Sequence, residues 1–189
     1  MDRKEHGRIR KLALAAMLVA VMLMLGYIES LIPTGIPGVK LGLSNSVLIL
    51  AIIWLGIPWA FALMIVKVLL SGILFSGVNA MMYAFAGGLL SMIVMSVLYR
   101  LKFSLVTTAM AGAVMHNVGQ VALAMVMLQT KELIFYMAVL MLVGLVTGFV
   151  TGTVATVLNK RIPPSLLPNQ KPSPLGKVAS GVSRKPDDG

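Results

Sequence analysis

Cysteine is absent from the 189 residues, which excludes disulfides, thiolate metal sites and thiol chemistry. Negative charge is scarce: six Asp and Glu stand against sixteen Lys and Arg, and no carboxylate occupies the centre of an apolar run. The histidines are His116 and His6, the latter in the terminus, and with no carboxylate near the bilayer centre His116 alone is not expected to make a metal site. No G-x-x-x-x-G-K-[ST] stretch occurs, so the chain lacks the phosphate cradle needed to hydrolyse ATP by itself. Repeats of solenoid period are absent as well. These absences point to no cofactor.

What is abundant is apolar surface. With 58% hydrophobic residues and a mean hydropathy of +0.94, a soluble domain of this length would expose large apolar patches. The formal charge of +10 raises the question of nucleic acid. The basic residues, however, sit at the chain ends and in short connections, and no room remains for a folded basic surface with interleaved aromatics. Met1 to Lys11 followed by an apolar run from Leu12 resembles a signal peptide, but the run continues to about Ile32 and no small-x-small cleavage site follows. It reads as a retained first helix.

Six apolar segments can be marked: Leu12–Ile32, Leu43–Ile57, Trp59–Phe75, Ala80–Tyr99, Leu105–Leu128 and Leu133–Leu158. Four of them reach the roughly 20 residues that cross a bilayer as a helix. The second and third are shorter and meet at Gly56-Ile57-Pro58, where Pro58 fits the first turn of a new helix. A hairpin is expected there, with a re-entrant second segment as its rival. Six spans place Arg3, Lys4, Arg8, Arg10, Lys11, Arg100, Lys102, Lys160, Arg161, Lys171, Lys177, Arg184 and Lys185 on one side, against Lys40 and Lys131 on the other. Thirteen against two is a positive-inside signature with both termini cytoplasmic. The expected organisation is a basic N-terminus (1–11), a six-helix transmembrane domain (12–162) and a disordered, proline-rich basic tail (163–189) in a bacterial cytoplasmic membrane.

The spans carry polar groups that hydrocarbon does not tolerate unless they face protein or water. Lys67 lies about nine residues from either end of its span, near the limit of snorkelling reach. A lysine at a helix centre costs roughly 2.5–3.5 kcal/mol on insertion scales. It suits a carboxylate or phosphate in a ligand chamber; the competing reading bonds it to backbone carbonyls. His116, Asn117 and Gln120 fall within about 100° of arc on the fifth span. They line a cavity or act as interhelical glue, which contributes about 0.6–2 kcal/mol per contact. Asn45, Asn79, Tyr83 and Glu29 lie in the outer half, and the glycine- and proline-rich stretch Pro33–Lys40 forms an outer loop able to close over a chamber. Glu29 and Lys40 are candidates for a simple ion pair. Ala16 and Ala20, with Ala13 a turn back, form a small-xxx-small face for a partner protein or another helix. Gly144, Gly148 and Gly152 repeat every four residues and are expected to pack within the chain.

The runs PGVKLGLSNSVLILAIIWLG (Pro37–Gly56), AGGLLSMIVM (Ala86–Met95) and GAVMHNVGQ (Gly112–Gln120) resemble the bacterial family labelled heptaprenyl diphosphate synthase component I, also called Gx transporter. The resemblance covers about Leu12 to Leu158, and GxxxHNxGQ at that spacing is its most specific part. The two labels imply different functions. Prenyl diphosphate synthases hold diphosphate through magnesium on DDxxD motifs, whereas Asp2, Asp187 and Asp188 are the aspartates here and all are terminal. The chain is therefore not expected to be an enzyme; at most it is an accessory component.

The transporter label implies similarity to the substrate-binding S components of energy-coupling factor (ECF) transporters. Those pair six helices with a first-helix AxxxA face that packs on a coupling subunit. That resemblance implies Ala16 and Ala20 as partner contacts, with a coupling subunit and ATPases as partners. It also implies Lys40, Asn45, Asn79, Tyr83, His116, Asn117 and Gln120 as pocket residues; Lys67 is added from its depth. The main expectation is a membrane subunit that captures a small polar or anionic molecule from outside. The alternative is a non-catalytic membrane component associated with heptaprenyl diphosphate synthesis, and a purely structural membrane partner is a third.

Overall fold

A computed structural model describes residues 3–32, 40 and 42–163. The stretch 33–39 of the outer loop and the tail from 164 onward lie outside these residues. Among those described, the fold is all helical and contains no strand. In chain order the helices are α1 (Arg3–Ser30), α2 (Leu43–Ser46), α3 (Leu48–Trp54), α4 (Ile57–Ser71), α5 (Gly77–Arg100), α6 (Leu105–Leu128) and α7 (Leu133–Arg161). A π-helical turn, Gly72–Ser76, continues α4. Four apolar helical stretches are long enough to cross a membrane: Glu5–Ser30, Ile57–Arg100, Leu105–Leu128 and Leu133–Arg161.

The stretch Ile57–Arg100 does not run straight. Gly77 adopts φ 77 and ψ 171, outside any helical basin. A Cβ on Gly72 would meet Met81, and one on Gly88 would meet Met64. Those pairings, inward from the break on both sides, make α4 and α5 an antiparallel hairpin. Gly56, at φ 95 and ψ 163, reverses the chain before α4, and Pro58 occupies the first turn as its missing N–H allows.

The expected boundaries shift in two places. α1 starts at Arg3, so most of the basic N-terminal segment is the helix's own first turns. The second apolar segment is a short pair, α2 and α3, joined at Val47. Every residue of α3 is buried, which is the state of a helix apolar all round and enclosed by others.

Helix seams are set by glycine. A Cβ at Gly148 would sit 2.5 Å from Met110 Cα, and one at Gly152 would sit 2.7 Å from Val106 Cα, so α7 runs antiparallel along α6 at backbone contact. Gly144 faces Ala113 and Asn117 in the same seam. The repeat of glycines thus packs within the chain, as expected. α5 and α6 approach equally closely, since a Cβ on Gly119 would lie 2.8 Å from Gly87 Cα. With α1 antiparallel to α2–α3 (Gly26 against Ser44, Glu29 against Leu43), successive segments alternate in direction. The start of α1, Arg100, Lys102, Lys160 and Arg161 gather at one end of the bundle, and Glu29, Lys40 and Lys131 at the other.

Candidate functional site

Near the end away from the basic termini, α1, α2, α4, α5 and α6 bring buried polar side chains together. Glu29, 1% exposed in the last turn of α1, accepts hydrogen bonds from the backbone N–H of Leu43 and, at 3.3 Å, of Ser44. A carboxylate at those orphan N–H groups caps α2 in the way helix N-termini favour. Glu29 is therefore engaged with α2, and Lys40 goes elsewhere. Lys40 Nζ donates to Ser76 Oγ at 2.6 Å and stands 4.9 Å from the centroid of the Phe75 ring. Both partners belong to the π-helical turn, a type of irregularity that collects at functional sites. Burial holds the Lys40 ammonium below its usual range, and Glu29 pulls the other way.

Gln120 fastens Lys40 through its backbone. The Lys40 N–H donates to Gln120 Oε1 at 3.0 Å, and Gln120 Nε2 donates to the Lys40 carbonyl at 3.3 Å. This reciprocal pair ties the segment preceding α2 to the middle of α6. Asn45 reaches across to α5, its Nδ2 donating to Ser91 Oγ at 3.0 Å. Asn117 Nδ2 donates to the Leu140 carbonyl of α7 at 2.6 Å. His116 lies against Gly87, and a Cβ at Gly42 would come within 3.3 Å of His116 Cδ2 and 3.5 Å of Asn117 Oδ1. Glycine at 42, which has φ +90, both permits the turn and keeps this approach open.

Three polar atoms of this cluster are buried without a partner among the described residues: Asn45 Oδ1, His116 Nδ1 and Asn117 Oδ1. Lys67, 4% exposed on α4, adds a buried charge within electrostatic reach of Glu29, Lys40 and His116. Leaving a buried polar group unpaired costs about 1–3 kcal/mol, more for a charge. The cluster is thus polar, enclosed and short of partners.

The structure brings Lys40, Asn45, Lys67, His116, Asn117 and Gln120 into one neighbourhood. Asn79 and Tyr83 adjoin it through Ser76, the partner of Lys40 Nζ. Asn79 is exposed and, with Ser76, Gly77, Tyr83 and Leu128, lines a pocket at the end of the α4–α5 hairpin. Tyr83 is buried among Val121, Ala124 and Leu140. Ala16 and Ala20 are exposed on α1, uncovered by any other described helix. Sequence reasoning missed Ser76 and Ser91, and held Glu29 only as a candidate ion pair. The signal for Ser91 was available: it follows Gly87 by one turn on the face that meets α6.

Fold and cluster together define an all-helical protein with membrane-length apolar helices packed around a buried polar centre. Within that class, the chain belongs to the heptaprenyl diphosphate synthase component I family, whose model matches residues 18–158. No curated protein and no solved structure matches the chain. Of the two labels the sequence suggested, the match carries the synthase-component one, and a likeness to ECF S components finds no support in these comparisons.

Proposed function

We propose that this chain is a non-catalytic integral membrane component associated with heptaprenyl diphosphate synthesis, with a small-anion site at the Lys67 cluster. The observation that carries the first part is the family membership over residues 18–158, whose description names a component of that synthase. A non-catalytic role is supported by the sequence, where Asp2, Asp187 and Asp188 are terminal and no DDxxD motif occurs. The anion site is supported by a lysine buried in an apolar bundle beside amide oxygens without partners among the described residues.

In this reading six segments cross a bacterial cytoplasmic membrane, with both termini on the cytoplasmic side. α2–α3 covers about 18 Å and crosses in part as helix, which is tolerable because it is enclosed by protein. The cluster then lies in the outer half. Affinity purification of the tagged chain from native membranes in mild detergent tests the association. Co-purification of a soluble polyprenyl synthase is expected; its absence while other subunits are retained contradicts it.

A second reading is a substrate-capture subunit of the ECF type. It is favoured by the exposed Ala16 and Ala20, a small-residue face available to a coupling subunit. There the cluster binds a small polar or anionic molecule from outside, through Lys40, Asn45, Lys67, His116, Asn117 and Gln120. Recovery of ATPases and a coupling subunit in the same purification selects this reading.

A further inference from the structure

We infer that the Lys67 cluster takes a singly charged anion that also carries O–H or N–H donors, and not an acceptor-only polyanion such as a diphosphate. This rests on reading the cluster as a ligand site. Asn117 sets the first limit. Its amide orientation is fixed, because the group facing Nδ2 is the Leu140 carbonyl at 2.6 Å, which can only accept. Oδ1 must therefore be the free end, and it is buried with no partner among the described residues. An acceptor needs a donor. Lys67 presents the opposite demand: buried at 4% exposure, it brings N–H donors and a positive charge. Asn45 adapts to either need, since the Ser91 hydroxyl beside it can accept or donate.

An anion made only of acceptors would satisfy Lys67 and set its oxygens against Asn117 Oδ1. A ligand bearing both an anionic group and a donor satisfies both. Charge sets the second limit. Lys67 and Lys40 against Glu29 leave one net positive charge, and Glu29 is already held by the N–H groups of Leu43 and Ser44. A monoanion balances that charge, whereas a diphosphate would leave excess negative charge in an apolar bundle whose described residues hold no group of three metal-ligating side chains. A role in heptaprenyl diphosphate synthesis is then exercised without holding the diphosphate here.

Matched probes test this on the purified full-length chain by titration calorimetry. Lactate is compared with propionate, which has the same charge but no hydroxyl. Inorganic phosphate in mildly acidic buffer is compared with sulfate, which has the same shape but a second charge in place of O–H donors; geranyl diphosphate is the polyanion. Lactate is expected to bind about tenfold or more tightly than propionate, and phosphate more tightly than sulfate. Lys67→Met should abolish that binding, and Asn117→Leu should erase the preference. Should Asn117→Leu not fold, the near-isosteric Asn117→Asp is expected to weaken the preferred anion by placing like charge beside it.

Lys67-dependent binding without preference for the donor-bearing probe, or tightest binding of geranyl diphosphate, overturns the inference and leaves the site standing. Absence of Lys67-dependent binding by every probe removes the site itself.

Discussion

The α6–α7 seam and the Lys67 cluster lie within the same bundle and obey opposite rules. Along the seam, Gly144, Gly148 and Gly152 bring backbones to contact, and the one side-chain amide that reaches across, Asn117 Nδ2, finds the Leu140 carbonyl. In the cluster, side chains are just as buried, yet Asn45 Oδ1, His116 Nδ1 and Asn117 Oδ1 lack partners among the described residues, against Ser96 Oγ alone elsewhere among them. A packed interface that only holds helices together has no reason to retain unpaired polar atoms, each of which costs about 1–3 kcal/mol. Unsatisfied burial, and not polarity as such, separates a candidate site from helix glue.

Substitutions that sharpen this contrast differ widely in expected size. Gly148→Leu places side-chain atoms on Met110 Cα and the Ala109 carbonyl, both backbone, so the seam must open. Overpacking of that kind costs about 3 kcal/mol or more; size-exclusion chromatography in detergent should show no monodisperse protein. Glu29→Gln removes the charge from the bonds to the Leu43 and Ser44 N–H groups. A loss of about 1.5–3 kcal/mol is expected, with faster hydrogen exchange confined to α2. Unchanged exchange there would show that the carboxylate is not what orders this segment.

Gln120→Leu breaks the reciprocal pair with the Lys40 backbone, at about 1–2 kcal/mol for two bonds. It should also weaken anion binding, because Lys40 is no longer fastened to α6. Intact binding in both Gln120→Leu and Lys67→Met would remove the pocket assignment. Ala20→Leu sits at the small end of the scale. The residue is exposed, so stability should stay within about 0.5 kcal/mol. Only co-purification of a partner should fall, and a fall in stability would mean α1 packs inward at that face.

How far the sequence carried these features depends on the physics behind each. Periodicity and length marked the apolar segments, because hydrocarbon thickness sets helix length. The Gly56–Pro58 hairpin was legible from the conformational limits of those residues, and the glycine repeat of α7 from close packing. The reversal at Gly77 was less clear, since the apolar pattern runs on beneath it and the turn depends on one positive φ. Lys67, His116, Asn117 and Gln120 stood out because each is polar where hydrocarbon should be.

Partner choice was not legible. That Glu29 would cap α2 while Lys40 turned to Ser76 depends on where three segments meet. Asn79 and Tyr83 show the same limit from the other side. Each has the right depth along α5, but rotation about the helix axis leaves Asn79 exposed beside Ser76 and packs Tyr83 with Val121, Ala124 and Leu140.

The central claim is that Lys67 is retained for a ligand and not for the fold. The most direct measurement is the thermal unfolding midpoint of ligand-free Lys67→Met beside the unsubstituted chain in the same detergent. If the buried ammonium is an unpaired burden, its removal relieves the bundle, and Tm should rise by about 2–4 °C. A clear fall in Tm would show that Lys67 holds the helices together and would contradict the account.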